Sequence, residues 1–139
     1  DECERNGLEL VELPQDFLDR ARARLRANVI RLTNPMDLGD LFDLDIYRDL
    51  AQDTLAMEQV DGMVFMHTYV SGPEGSGAEV FFRKLHELSM QAGKPVAMHP
   101  DTSSEEVSRL KKVLPGPVFD EPSQAVQAMP GWSGSPVRV

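Results

Sequence analysis

A single cysteine, Cys3, stands in the whole chain. No internal disulfide can form, and one thiol does not make a zinc site. Basic residues are few beside acidic ones, 14 against 23, for a formal charge of −9. A phosphate backbone needs a basic surface, so DNA and RNA are excluded as partners, and the acidity reads as solubility. No apolar run comes near the roughly 20 residues that a membrane-spanning helix requires. The opening residues, Asp1 to Asn6, are charged and lack the apolar stretch of a secretory signal. A reducing cytoplasm is the expected compartment. What remains is 41% apolar in 139 residues, enough for one packed core and one domain.

The hydrophobic periods alternate between strand and helix. Leu8 to Leu13 reads as a short strand, and Pro14 opens a helix with Phe17, Leu18, Ala21 and Leu25 on its inner face. Arg20, Arg22, Arg24 and Arg26 fall mostly on the other side, a solvated face. From Asn28 to Phe42 neither period holds, and Asn34-Pro35-Met36-Asp37-Leu38-Gly39-Asp40 reads as a structured loop. A helix over about 45–57 buries Ile46, Leu50, Ala51 and Leu55, capped by Asp43 or Asp45. Met63 to Met66 is a continuous apolar strand, as expected of one covered on both faces. Ser71 to Gly77 reads as a long flexible loop. Ala78 to Ala92 is a helix burying Phe81, Phe82, Leu85 and Leu88 and stopping at Gly93. Pro95 to Met98 is a strand, and Ser103-Ser104-Glu105-Glu106 a capping box before a helix with Val107 and Leu110 inside. Pro117 to Phe119 is a last short strand, Glu121 to Met129 a last helix, and residues 130–139 read as linker. Strands separated by helices need crossovers, so the expected fold class is α/β with a parallel sheet covered by helices on both faces.

Five segments in this order carry a resemblance: Gly7-Leu8-Glu9-Leu10-Val11-Glu12-Leu13; Asn34-Pro35-Met36-Asp37-Leu38; Val60-Asp61-Gly62-Met63-Val64; Gly93-Lys94-Pro95-Val96; and Phe119-Asp120-Glu121-Pro122-Ser123-Gln124-Ala125-Val126. Residues 1–129 resemble the ligase-type flavodoxin-like domain of NDP-forming acyl-CoA synthetases, relatives of succinyl-CoA synthetase. The resemblance implies a three-layer open sheet in the order 2-1-3-4-5. It also implies a parent enzyme that converts acyl-CoA, NDP and phosphate to acid, CoA and NTP through a phosphohistidine held in another domain. CoA, ATP or ADP and Mg then belong to the parent, none being bound by this segment. The implied partners are the CoA-binding and ATP-grasp domains, with this domain a wall of the site and an interface. The same domain set occurs in some protein lysine acetyltransferases as a sensory module, which is the alternative.

Two departures qualify the match. The family's first strand and its Gly-rich loop have no counterpart here: Asp1 to Asn6 read as the last turns of the helix that follows them, with Gly7 as the stop. The segment therefore reads as amino-terminally truncated. The strands flanking the missing one, Leu8–Leu13 and Met63–Met66, are expected to be joined by a second copy or a bound amino-terminal fragment rather than to close up. The second departure is His67-Thr68-Tyr69, which replaces a Thr-Pro-type loop.

Candidate site residues, for substrate contact or interface, are Asn34, Asp37, His67, Thr68 and His99. Ligand crevices in open α/β sheets lie beyond the carboxyl ends of the strands, and the histidines fall there in sequence. Histidine can accept a phosphoryl group, act as a base or bind metal. No catalytic residue and no metal ligand is assigned. Asp37, Asp40, Asp43 and Asp45 lack calcium-loop spacing and read as turn and cap residues. The glycines of Ser71–Gly77 do not match the phosphate-binding Gly-x-x-x-x-Gly-Lys pattern. His86 reads as structural, and Cys3 has no neighbouring base. A response-regulator receiver is excluded because no Asp follows the Met63–Met66 strand.

Overall fold

Apolar stripes on the helices find partners in three clusters, and these decide where each element lies. The computed structural model describes residues 2–25, 32–39, 43–132 and 137–139. In chain order the elements are α1 (Glu2–Arg5), β1 (Leu8–Glu9), α2 (Gln15–Arg24), α3 (Leu44–Leu55), β2 (Met63–Thr68), α4 (Gly75–Ala92), β3 (Val96–Asp101), α5 (Ser104–Val113), α6 (Pro122–Ala128), a 3₁₀ turn (Met129–Trp132) and β4 (Val137–Arg138). Asp45, Asp49 and Arg48 line the outer side of α3, while Tyr47, Leu50, Ala51 and Leu55 are buried. The first turn of α3 is held by Asp43, whose Oδ1 accepts from the Asp45 and Ile46 amides. On α4 the four expected residues are buried and Gly93 ends the helix at φ +65°, a conformation only glycine adopts freely. Arg20, Arg22 and Arg24 make exposed ion pairs, as a solvated face should; Arg26 lies outside the described residues, as do Asn28 and Asp40.

All strand pairs are parallel. β2 and β3 run in register from Met63 opposite Val96 to Thr68 opposite Asp101, and Val118 adds a single bridge to Met98. Side chains alternate across this ladder. Met63, Phe65 and Met98 join Tyr47, Phe81, Phe82, Leu85 and Leu110 of α3, α4 and α5. Val64 and Ala97 join Ala125 and Val126 of α6, with Cys3 of α1 against them. Phe17, Ala21 and Leu25 of α2 and its exit pack on Leu50 of α3.

The second ladder corrects two expectations. β1 is ladder-paired only at Leu8 and Glu9, and its partner is β4, Leu8 opposite Val137 and Glu9 opposite Arg138. The far end of the stretch read as linker is thus a paired strand. β4 also reaches the two residues that lead into β2: the Arg138 carbonyl accepts from the Asp61 and Gly62 amides at 2.7 and 3.3 Å, although the β1–β4 and β2–β3 ladders remain separate sheets. The place between β1 and β2 is therefore taken, over residues 137–139, by the chain's own segment rather than by another chain. Backbone bonds from Val139 N–H to Glu9 and from Val11 N–H to Val139 complete the join.

A third difference concerns residues 71–77. The expected flexible loop is shorter, because α4 starts at Gly75, where Ala78 N–H bonds the Glu74 carbonyl. The Glu74 carboxylate accepts from Val70 N–H at 2.7 Å and closes the turn.

Candidate functional site

Three groups of polar residues lie near the carboxyl ends of the strands. The first surrounds Asn34. Its Nδ2 donates to the Val11 carbonyl at 3.1 Å and to the Val139 carbonyl at 2.7 Å, so one side chain ties β1 to β4 just past their ladder. Asp37, in the same loop, is exposed and accepts from the Gly39 amide, a local turn bond at 2.9 Å. Asn34 is thus held by contacts distant in sequence and Asp37 by a local one.

The second group is a partly buried ionic network beyond β2, with Tyr69 and Glu106 at its buried end. The Tyr69 hydroxyl donates to Glu106 Oε1 at 3.2 Å. Arg109 forks onto Glu106 with two bonds of 2.8 Å and reaches Glu79 at 2.6 Å. Hydrogen bonds from the guanidinium hold the Glu106 and Glu79 carboxyls below their ordinary range, while burial, then the Glu106 charge, pushes the Tyr69 phenol up. Tyr69 stays a donor and Glu106 an acceptor across the working range of pH. The Glu106 amide takes the Ser103 cap, but its carboxylate serves Tyr69 and Arg109 instead of reaching back as a capping box would. The network binds the exit of β2 to α4 and α5.

The third group is on the surface: Thr68 Oγ1 donates to Asp101 Oδ2 at 2.9 Å, and Ser103 Oγ to Ser71 Oγ at 3.2 Å. These are paired hydroxyls at two strand ends. Among the described residues no cluster of three or more metal-ligating side chains forms.

The two candidate histidines do not share a site. Register sets Met66 opposite His99, so alternation sends His67 and His99 to opposite faces of the ladder. His67 is 8% exposed and sits among the rings of Tyr69 (stacked, 5.3 Å), Tyr47, Phe81 and Phe82. Burial pushes its imidazole below the usual histidine range. A neutral ring packed in this way is a core residue. His99 is buried too, with Nδ1 3.0 Å from the Phe119 carbonyl. Asn34, Asp37, His67, Thr68 and His99 thus fall at separate points and do not converge on one pocket.

A cleft of about 250 Å³ lies between the end of β1 and β2. Leu10, Val11 and Leu13 form one wall and Met63 to Met66 the other, with Val139 and Asn34 also on its lining. Among the described residues no charged side chain lines it. Neither wall was read from the sequence as a site, because each looks like ordinary strand. Asp61 and Arg138 hold the closed end: Arg138 Nε and Nη2 each bond the Asp61 carboxylate at 2.7 Å. Those bonds depress the Asp61 carboxyl to about 2. Compared with protein-family models, with curated proteins and with solved structures, the chain matches none.

Proposed function

We propose that this chain is a flavodoxin-like domain of an NDP-forming acid–CoA ligase, serving as a wall of the site and an interface rather than as the catalytic centre. The observation that carries the reading is the placement of its loop signature. Asn34 of the Asn-Pro-x-Asp-Leu segment lies past the carboxyl end of β1 and cross-links it to the neighbouring parallel strand. Ligand crevices in open parallel sheets lie on that side. The all-parallel pairing, and helices packed against both faces of β2 and β3, agree with a doubly wound architecture. The two buried histidines favour a non-catalytic role, since neither offers an exposed imidazole for phosphoryl transfer. On this reading CoA, nucleotide and Mg are bound by partner domains of the CoA-binding and ATP-grasp type, and the chain alone turns nothing over.

Reading the coding sequence on both sides of this segment in one frame tests the proposal. CoA-binding and ATP-grasp regions are the expected result. A frame encoding an acetyltransferase beside them selects the sensory reading, and a frame with none of these overturns both. An independent check is a coupled assay of the isolated chain with CoA, nucleotide and short-chain acids. Turnover above a heat-killed control contradicts the non-catalytic role.

A further inference from the structure

Five hydrogen bonds join Arg138 of β4 to the Asp61-Gly62 pair that leads into β2. The Arg138 carbonyl accepts from both amides, at 2.7 Å for Asp61 and 3.3 Å for Gly62. The Arg138 amide and guanidinium donate to the Asp61 carboxylate at 3.2, 2.7 and 2.7 Å. One residue, in a strand with two ladder-paired positions, thus restrains both halves of an Asp-Gly step. Such a step is reactive, because the aspartyl carboxyl can close a succinimide ring on the next amide nitrogen and glycine offers that nitrogen no side-chain shield. Packing keeps the glycine: a Cβ on residue 62 would meet Met129 Cε at 2.5 Å and the Pro95 carbonyl oxygen at 2.9 Å. While β4 is docked neither half is ready. The Gly62 proton is held on the Arg138 carbonyl, and the Asp61 carboxylate, kept ionised by the guanidinium, has no hydroxyl to lose. The Asp61 and Arg138 side chains are 35% and 42% exposed, so water reaches the step as soon as β4 lifts.

We propose that Asp61-Gly62 is a modification site, silent while β4 is docked, which forms an isoaspartyl linkage when β4 lifts and then holds β4 off. The Gly62 nitrogen gives its proton to solvent and attacks Asp61 Cγ. The new N–C bond forms, the C–OH bond of the protonated carboxyl breaks, and the hydroxide leaves with a proton as water. A water molecule then reopens the succinimide at either carbonyl, restoring aspartate or leaving the chain joined through Cβ and Cγ. Composition is unchanged, and nothing is oxidised or reduced. The isoaspartyl main chain is longer by one carbon, directly before β2. The two amides that now share the Arg138 carbonyl lose their common register, and the free carboxylate moves to Cα, out of the guanidinium fork. Docking of β4 therefore becomes a state that the chain can leave but not regain. The inference does not depend on the ligase reading.

The test incubates the folded chain at mildly alkaline pH and maps its peptides by mass spectrometry with electron-transfer fragmentation, which tells isoaspartate from aspartate at equal mass. Deamidation at Asn6-Gly7 changes the mass and is resolved from it. Arg138→Gln should speed isoaspartate formation at residue 61 about tenfold. Asn34→Ala loosens β4 through Val139, with no bond to Asp61, and should speed it by a similar factor. Urea below the unfolding transition should change the parent's rate little, because a two-residue strand exposes little surface as it leaves. In the isoaspartyl fraction the Val11 and Val139 amides should lose their protection from hydrogen exchange. Acceleration by neither variant, or by Arg138→Gln alone, overturns control by β4. A parent rate equal to that of the urea-unfolded chain, or one that climbs with urea as steeply as global unfolding, overturns it too. An isoaspartyl chain that keeps its Val139 protection refutes the release of β4.

Discussion

Removing the Asn34 carboxamide is the sharpest probe of how β4 is held. Asn34→Ala deletes two bonds, at 2.7 and 3.1 Å, from a half-buried donor to carbonyls of two different strands. Each such bond contributes about 1 kcal/mol net, so the pair is expected to cost about 2 kcal/mol. With a urea slope of about 2 kcal/mol/M, the unfolding midpoint should fall by about 1 M with the slope unchanged. Asn34→Asp sharpens the test because it keeps the size and reverses the polarity. Its carboxylate would face two carbonyl oxygens with no proton to give, so at neutral pH it should be less stable than the alanine variant. The sign with pH follows: those oxygens raise the carboxyl pKa in the folded state, so the destabilisation is full above that pKa. It is relieved as pH falls toward the unfolded value near 3.9, where the protonated group can donate one bond. Urea titrations of both variants at neutral and mildly acid pH decide the matter. An alanine variant within about 0.5 kcal/mol of the parent, or an aspartate variant that does not recover in acid, would refute the role given to Asn34.

Three other outcomes are expected. Asp61→Asn should destabilise the chain at neutral pH, and the gap from the parent should close as pH falls from about 4 toward 2. The depressed carboxyl contributes above its unfolded pKa and is lost through the folded one; a pH-independent gap counts against the ion pair. His67→Phe should lessen the loss of stability in mild acid, since a depressed imidazole stabilises the neutral state above its unfolded pKa and loses that as pH falls below it. Thermal midpoints across pH read this directly, and parallel curves for the two proteins contradict it. Gly62→Ala should cost about 1–3 kcal/mol in urea unfolding. A Cβ there would meet Met129 Cε at 2.5 Å and the Pro95 carbonyl oxygen at 2.9 Å, and a neutral change would mean that both can move aside.

The helices were legible because their evidence is local. Phe81, Phe82, Leu85 and Leu88 repeat at helical spacing and Gly93 supplies the stop, so α4 could be read to its last residue. Its start could not, since Gly75, Ser76 and Gly77 are poor helix formers and are held by packing, Gly75 against the Glu106 carboxylate. Tyr47 was passed over beside Ile46, although the cluster of rings around His67 buries the tyrosine more fully. β4 left almost no trace. Val137-Arg138-Val139 follows a stretch rich in glycine, serine and proline, and only pairing with Leu8 and Glu9 makes it a strand. The partners of the polar residues were hidden for the same reason: Asn34 was named as a candidate but the strands it ties were not, and Glu106 looks like a cap, their partners lying 105 and 37 positions away.

That long reach of β4 sets an order of events in time. Closing the 105 positions between Asn34 and Val139 carries a loop entropy of about 4 kcal/mol, against about 3 for the 33 between Thr68 and Asp101. The central ladder also starts with six paired residues on each strand, whereas β4 has two. During folding β2 and β3 should therefore meet first, with α4 as the local bridge between them, and β4 should enter only when both neighbours have been fixed. In the native state the sequence runs backward: β4 is the element that detaches at the lowest free energy, while the rest of the core remains whole.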